Sequence, residues 1–226
     1  MAGTTQGHRR GGGRLMKNRV FAVATAVVVA GLVGTAGAPA QAGARRDGGS
    51  EAATVQCAGR TVDAAAKIRY RTETTIDAPL RTVWKLQTDV ERWPSWQKPV
   101  LSSKRLDRGP LRPGSSFRWT TPVLETALNP ATTLVVTSTV RQLQHQKCLR
   151  WNGPAIGAGL RIDEGVHVWT FTEIDGRVLV RTEETWRGDQ VEQDVDFSTV
   201  ALGAGLETWL TELKSRAERE CDRARR

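Results

Sequence analysis

The stretch that decides the fold is Ile76-Asp77-Ala78-Pro79-Leu80-Arg81-Thr82-Val83-Trp84, followed by Asp89-Val90-Glu91-Arg92-Trp93-Pro94-Ser95-Trp96. It predicts a strand that ends at Asp77 and a helix that opens at Pro79, because proline is favoured at the first helical position. Leu80, Val83, Trp84 and Gln87 keep helical spacing, so this helix runs to Gln87. A second short helical turn stops at Pro94, between two tryptophans. Upstream, Lys67 to Ile76 alternates and is rich in Thr, Ile and Tyr, as a first strand should be.

Working outward toward the C-terminus, strands are expected over Leu101–Asp107, Ser115–Thr121, Thr132–Leu143 and Lys147–Asn152. Gly153 to Gly159 reads as a loop. Leu160–Ile174 and Arg177–Arg187 read as a hairpin around Asp175-Gly176, a dipeptide that supplies the left-handed conformations of a two-residue turn. The last element, from about Gln190 to Arg223, carries Val195, Leu202, Leu206, Trp209 and Leu213 on one helical stripe. Gly203 and Gly205 interrupt it. They imply either a slack first turn or a gap left over a cavity. The terminal run Arg216–Arg226 reads as a solvated helix end.

The opening phrase, the Gly165–Arg187 segment with its Asp-Gly turn and Glu183-Glu184, and the long final helix together resemble the START-like (SRPBCC) superfamily. The likeness is to its polyketide cyclase/dehydrase branch and spans about Lys67 to Arg223. The resemblance implies an α+β helix-grip fold: a curved seven-stranded antiparallel sheet wrapped around a long C-terminal helix, with two short helices after the first strand. It also implies a ligand cavity between sheet and helix. The superfamily hosts transport, binding, cyclisation and regulation, so the fold does not choose among them.

The hairpin fixes a register. Ile174 faces Arg177, Phe171 faces Val180, Trp169 faces Thr182, His167 faces Glu184 and Gly165 faces Trp186, all on one side of the sheet. The other side, with Val168 beside Glu183 and Thr170 beside Arg181, is more polar, so the tryptophan side should face the helix. His167 and Glu184 are thereby neighbours on an apolar face. They are either a general base with its orienting carboxylate or a buried pair that satisfies itself. The candidate ligand-binding residues are Trp93, Trp96, Trp119, Trp151, Trp169, Phe171, Trp186, Leu202, Leu206 and Trp209. Tryptophans offer broad apolar walls with one N–H each. Trp93 and Trp96 are expected near the cavity rim, as the resemblance implies.

No metal site is legible: His145, Cys148 and His167 lack a four-ligand spacing. No cofactor motif and no nucleophile elbow is present. Residues 1–42 read as a secretory signal, with Arg9, Arg10, Arg14, Lys17 and Arg19 ahead of the apolar run Val20–Gly34 and an A-x-A site at Ala40-Gln41-Ala42. Met16–Ala42 is by itself a complete signal. The alternative is an uncleaved membrane anchor. Residues 43–66 read as a flexible leader to a domain over 67–226. The signal carries five of the 33 Lys+Arg and none of the 24 Asp+Glu, so the remainder carries about +4, too little for a nucleic-acid footprint. Cys57, Cys148 and Cys221 allow three single pairings, among them a Cys57–Cys221 bridge tying the termini, or three free thiols.

Three functions fit. One is an exported binder of a small hydrophobic molecule, a lipid or an aromatic metabolite. The second is a polyketide cyclase/dehydrase-type enzyme using His167 and Glu184. The third is a cell-surface interaction module whose cavity is filled by its own tryptophans.

Overall fold

The computed structural model describes residues 54–126 and 129–225. The signal expected over residues 1–42, and the leader up to residue 53, lie outside the described residues. Seven antiparallel strands form one sheet: β1 (Ile68–Ile76), β2 (Ser102–Arg105), β3 (Ser116–Val123), β4 (Thr132–Gln144), β5 (Cys148–Gly157), β6 (Leu160–Ile174) and β7 (Arg177–Arg187). Their order across the sheet is β1-β7-β6-β5-β4-β3-β2. Helix α1 (Leu80–Thr88) and a 3₁₀ helix (Val90–Ser95) connect β1 to β2, and helix α2 (Val195–Ala224) closes the chain. This is the curved sheet and long final helix of the helix-grip fold.

Pro79 caps α1 rather than opening it. Its carbonyl accepts from the amides of Thr82 and Val83. The ring's fixed φ suits the cap equally, and no amide is wasted. Asp175 and Gly176 both have positive φ, at 50° and 75°, the requirement of a type I′ turn. The register that follows is the expected one, including Ile174↔Arg177, Trp169↔Thr182 and His167↔Glu184.

Gly153–Gly159 is not a loop. β5 runs on through Gly157 with a bulge between Gly153 and Ala155, leaving only Ala158-Gly159 as the turn into β6. Gly153 is required there: its φ is +154°, and an added Cβ would lie 1.8 Å from the carbonyl oxygen of Thr137 on β4. Bulges of this kind bend a strand and so help curve the sheet.

The concave face receives α2, and its two halves pack differently. Toward the C-terminus, Trp209, Leu210, Leu213 and Ala217 join Val83, Trp84 and Leu86 of α1 and the inward side chains of β3–β7 in one core. Toward the N-terminus, Leu202 and Leu206 meet Ile68, Leu134, Ala155 and Ile162 in a second, smaller cluster. Gly203 lets the helix press onto β1, since a Cβ there would lie 2.7 Å from the Tyr70 ring. α2 begins later than expected because Asp194 is extended and its carboxylate accepts from the Phe197 amide, a true N-cap.

The convex face is not simply polar. Val55, Cys57 and Val62 pack on Cys148, Val166 and Val168, and Cys57 is joined to Cys148 by a disulfide. Arg150 donates through Nε to the carbonyl of Thr61 at 2.8 Å, which fixes the same segment to β5. The stretch expected as a flexible leader is therefore, from Thr54 onward, a strap fastened across the back of the sheet. The Cys57–Cys221 pairing does not form; Cys221 is a free thiol beside the main core.

Candidate functional site

Between the concave face and the N-terminal half of α2 lies a cavity of about 640 Å³. Pockets that hold small organic ligands span roughly 300–1,000 Å³. Strands β3 to β7 supply its wall, and the β3–β4 connection and α2 supply its mouth. The helix contributes Ala201, Ala204, Gly205 and Thr208 to the lining. These recur at three- and four-residue intervals, so small side chains occupy the middle of the helix face that borders the space, with Phe197 before them and Leu206 and Trp209 beside them. At Gly205 an added Cβ would meet nothing within 4 Å, so this glycine borders open volume, whereas Gly203 is a close approach.

The tryptophans divide into two sets. Trp119, Trp151, Trp186 and Trp209 line the cavity, with Leu206. Trp93 and Trp169 do not: both are fully buried. Trp93 sits at the centre of an aromatic block, edge-on to Phe117, Trp119 and Trp209 with ring centroids 5.3, 6.1 and 4.8 Å away. It is not at the rim. Trp96 is buried against Trp209, and Phe171 packs edge-on against Trp84; neither lines the cavity. Leu202 is buried in the smaller cluster and also lies outside the lining. The expected residues thus fall into a solid plug at one end of the concave face and a hollow at the other, so the tryptophans do not fill the cavity.

Residues not anticipated form the mouth. Leu124, 82% exposed, and Phe197, 39% exposed, both line it, and Asn129 braces the β3–β4 connection by donating to the carbonyls of Leu124 and Pro130. The helical spacing of Ala201, Ala204 and Gly205 was the signal available for the α2 face. Nothing local marks Leu124.

His167 and Glu184 meet as neighbours in the cavity wall, with Nδ1 to Oε2 at 3.1 Å. The His167 ring packs beside both Trp169 and Trp151, at centroid distances of 4.8 and 5.0 Å. Its Nε2 is 2.6 Å from the Thr182 hydroxyl, which donates to the Val168 carbonyl at 3.2 Å. With the hydroxyl proton committed to that carbonyl, Nε2–H must be the donor and Nδ1 the bare acceptor. The proton between Nδ1 and Glu184 then belongs to the carboxyl. Burial drives both groups to their neutral forms: it lowers the His167 pKa to about 3 and raises that of Glu184 to about 7, the latter opposed by the Trp186 indole, which donates to Oε1 at 2.9 Å. Glu184 keeps 18% of its side-chain surface accessible and His167 only 7%, so the carboxyl is what the cavity meets. Gly165 makes room beside it, since an added Cβ would stand 3.2 Å from Glu184 Oε1.

A family profile described as polyketide cyclase / dehydrase and lipid transport matches residues 67–218. The di-domain ARO/CYC StfQ from the steffimycin biosynthetic pathway has a similar structure, 18% identical with a TM-score of 0.52, over 69% of this chain and 46% of its own. The chain thus spans less than half of that protein. A START superfamily protein from Mycobacterium smegmatis is 14% identical with a TM-score of 0.52, over 67% of this chain and 97% of its own. TTHA0849 from Thermus thermophilus is 18% identical with a TM-score of 0.50, over 66% and 96%. No curated protein matches the chain. These structural likenesses carry the fold alone. The profile, by contrast, runs from the start of β1 through most of α2, the same span that builds the cavity, and the chain therefore belongs to the polyketide cyclase/dehydrase and lipid transport family.

Proposed function

We propose that the chain is an exported protein that binds and carries a small hydrophobic molecule in the cavity between sheet and helix. The observation that carries this reading is the lining: among its described residues only His167 and Glu184 are ionisable, and burial shifts both toward their neutral forms. Such a surface rewards apolar ligands by removing them from water. Two features support export: the signal-like pattern of residues 1–42 and the Cys57–Cys148 disulfide, a bond that persists in oxidising compartments. Native mass spectrometry of the purified protein tests the reading. A noncovalent adduct of an apolar compound is expected. Protein free of adduct, with tryptophan emission indifferent to added apolar compounds, overturns it.

One observation favours a cyclase/dehydratase-type reaction as the second reading. A carboxyl whose pKa lies near 7 and which faces an apolar cavity is suited to move protons. Glu184 would then be the acid/base group and His167 its positioning partner, because both ring nitrogens of His167 are already bonded.

A further inference from the structure

We propose that the cavity selects uncharged apolar molecules bearing a hydroxyl, and that Glu184 is the residue that receives that hydroxyl. The inference rests on the carrier reading and names the class of cargo. The first observation is the charge census of the wall. No lysine or arginine is among the described lining residues, and the acidic Glu125 and Asp196 flank the mouth residues Leu124 and Phe197 in the chain. Arg161, beside the lining residues Leu160 and Ile162, is bonded to Asp163. A ligand carboxylate would therefore enter without a counter-ion, and an unpaired buried charge is strongly disfavoured.

The second observation is where the lone pairs point. The proton of Glu184 is committed to His167 Nδ1, and Trp186 takes one lone pair of Oε1. Toward the cavity the carboxyl therefore presents acceptor capacity and no donor. From the flanking elements Glu184 faces His167 on β6 and Tyr70 on β1, and the Tyr70 hydroxyl is itself committed to Glu207 of α2. Of the other polar side chains of the wall, Ser198 donates to the Val191 carbonyl and Asn129 bonds Thr126, Leu124 and Pro130. The Trp119 indole N–H is buried without a partner among the described residues, at a distance along the wall from Glu184 set by β3 and β7 lying at opposite sides of the sheet. A hydroxyl group matches the remaining acceptor. An ether or ester oxygen finds no donor at Glu184.

The paired glycines complete the site. Gly153 and Gly165 face each other across β5 and β6, and both line the cavity. They leave the sheet bare beside Glu184, so a ligand's polar end can reach the carboxyl with its apolar body against Trp151 and Trp186.

The test uses four ligands of one chain length: dodecanol, dodecanoate, dodecylamine and methyl dodecyl ether, titrated at about pH 6, where Glu184 holds its proton, against intrinsic tryptophan fluorescence. Dodecanol should bind most tightly. Dodecanoate should be weaker by about tenfold or more. The ether should be weaker by about fivefold to tenfold, the worth of one hydrogen bond. Glu184→Gln, which keeps an acceptor and a neutral group, should preserve the alcohol-to-ether ratio. Glu184→Met should bring it to about unity, with far-UV circular dichroism confirming the fold. Dodecanoate equal to dodecanol, dodecylamine tighter than dodecanol, or an alcohol-to-ether ratio unchanged in Glu184→Met overturns the selection and leaves the carrier reading standing. No response to any of the four overturns both.

Discussion

Between Glu184 and His167 lies a single proton in a region from which water is largely excluded, and its bookkeeping sets how the pair responds to pH. His167 titrates at about 3 when folded and near 6.5 when not, so its contribution is lost as pH falls below 6.5. Glu184 titrates at about 7 when folded and near 4.5 when not, so its contribution is lost as pH rises through 4.5 to 7. Between these unfolded values each state of the chain holds one proton on the pair, and the two slopes cancel. Glu184→Gln removes one side of the balance. Relative to the wild type, the variant should gain about 1.4 kcal/mol of stability per pH unit across that window, read as urea midpoints. Parallel pH profiles for the two proteins would refute the proton assignment. The adjacency itself was legible in the chain, because Asp175-Gly176 admits one turn type and that turn dictates every pair behind it. The neutral state was not, since it depends on Trp151, Trp169 and Trp186 closing around the two groups.

At the scale of the element, α2 carries two glycines with opposite reasons for being there. Gly203 touches the Tyr70 ring, and Gly205 borders the hollow. Gly205→Ala should stabilise the protein by about 0.5–1 kcal/mol, the helix propensity difference, with no clash. Gly203→Ala should destabilise it by about 1–3 kcal/mol, because overpacking against an aromatic ring outweighs propensity. Thermal or urea denaturation of the two variants distinguishes them, and equal shifts would sink the distinction. Both roles, a slack turn and a gap, were readable as alternatives from spacing alone; deciding which glycine did which required the position of β1. The same limit explains β5. Its glycines look like a loop until the Thr137 carbonyl on the neighbouring strand is in place, and then Gly153 becomes the residue that a close approach demands. For the tryptophans, strand parity gave the face but not the depth. Curvature decides which become plug and which become wall, and curvature arises from bulges that local patterns do not announce.

For the whole molecule, the strap across the convex face matters most. Cys57 and Cys148 are 91 residues apart, so the disulfide closes a loop that contains strands β1 to β4. Constraining an unfolded chain over that length is worth on the order of 4–5 kcal/mol in the chain-entropy view, with typical measured values of about 2–4. Cys57→Ser should lower the unfolding free energy by about 2–4 kcal/mol, and reductant should reproduce the loss in wild type but not in the variant. Indifference of the wild type to reductant would mean that Val55 and Val62 packing and the Arg150–Thr61 hydrogen bond hold the strap without the disulfide. The strap was invisible from the sequence because its apolar residues are few and its partner strand is distant. The overall order of strands and helices, by contrast, was written in local turn and cap chemistry. A last consequence follows from the aromatic plug. It fills one end of the concave face, so the hollow is bounded there by packed rings, with the exposed Leu124 and Phe197 at its mouth. A guest in the hollow would rest its inner end on Trp119, Trp151 and Trp209, and one longer than the hollow would trail its tail past Leu124 and Phe197.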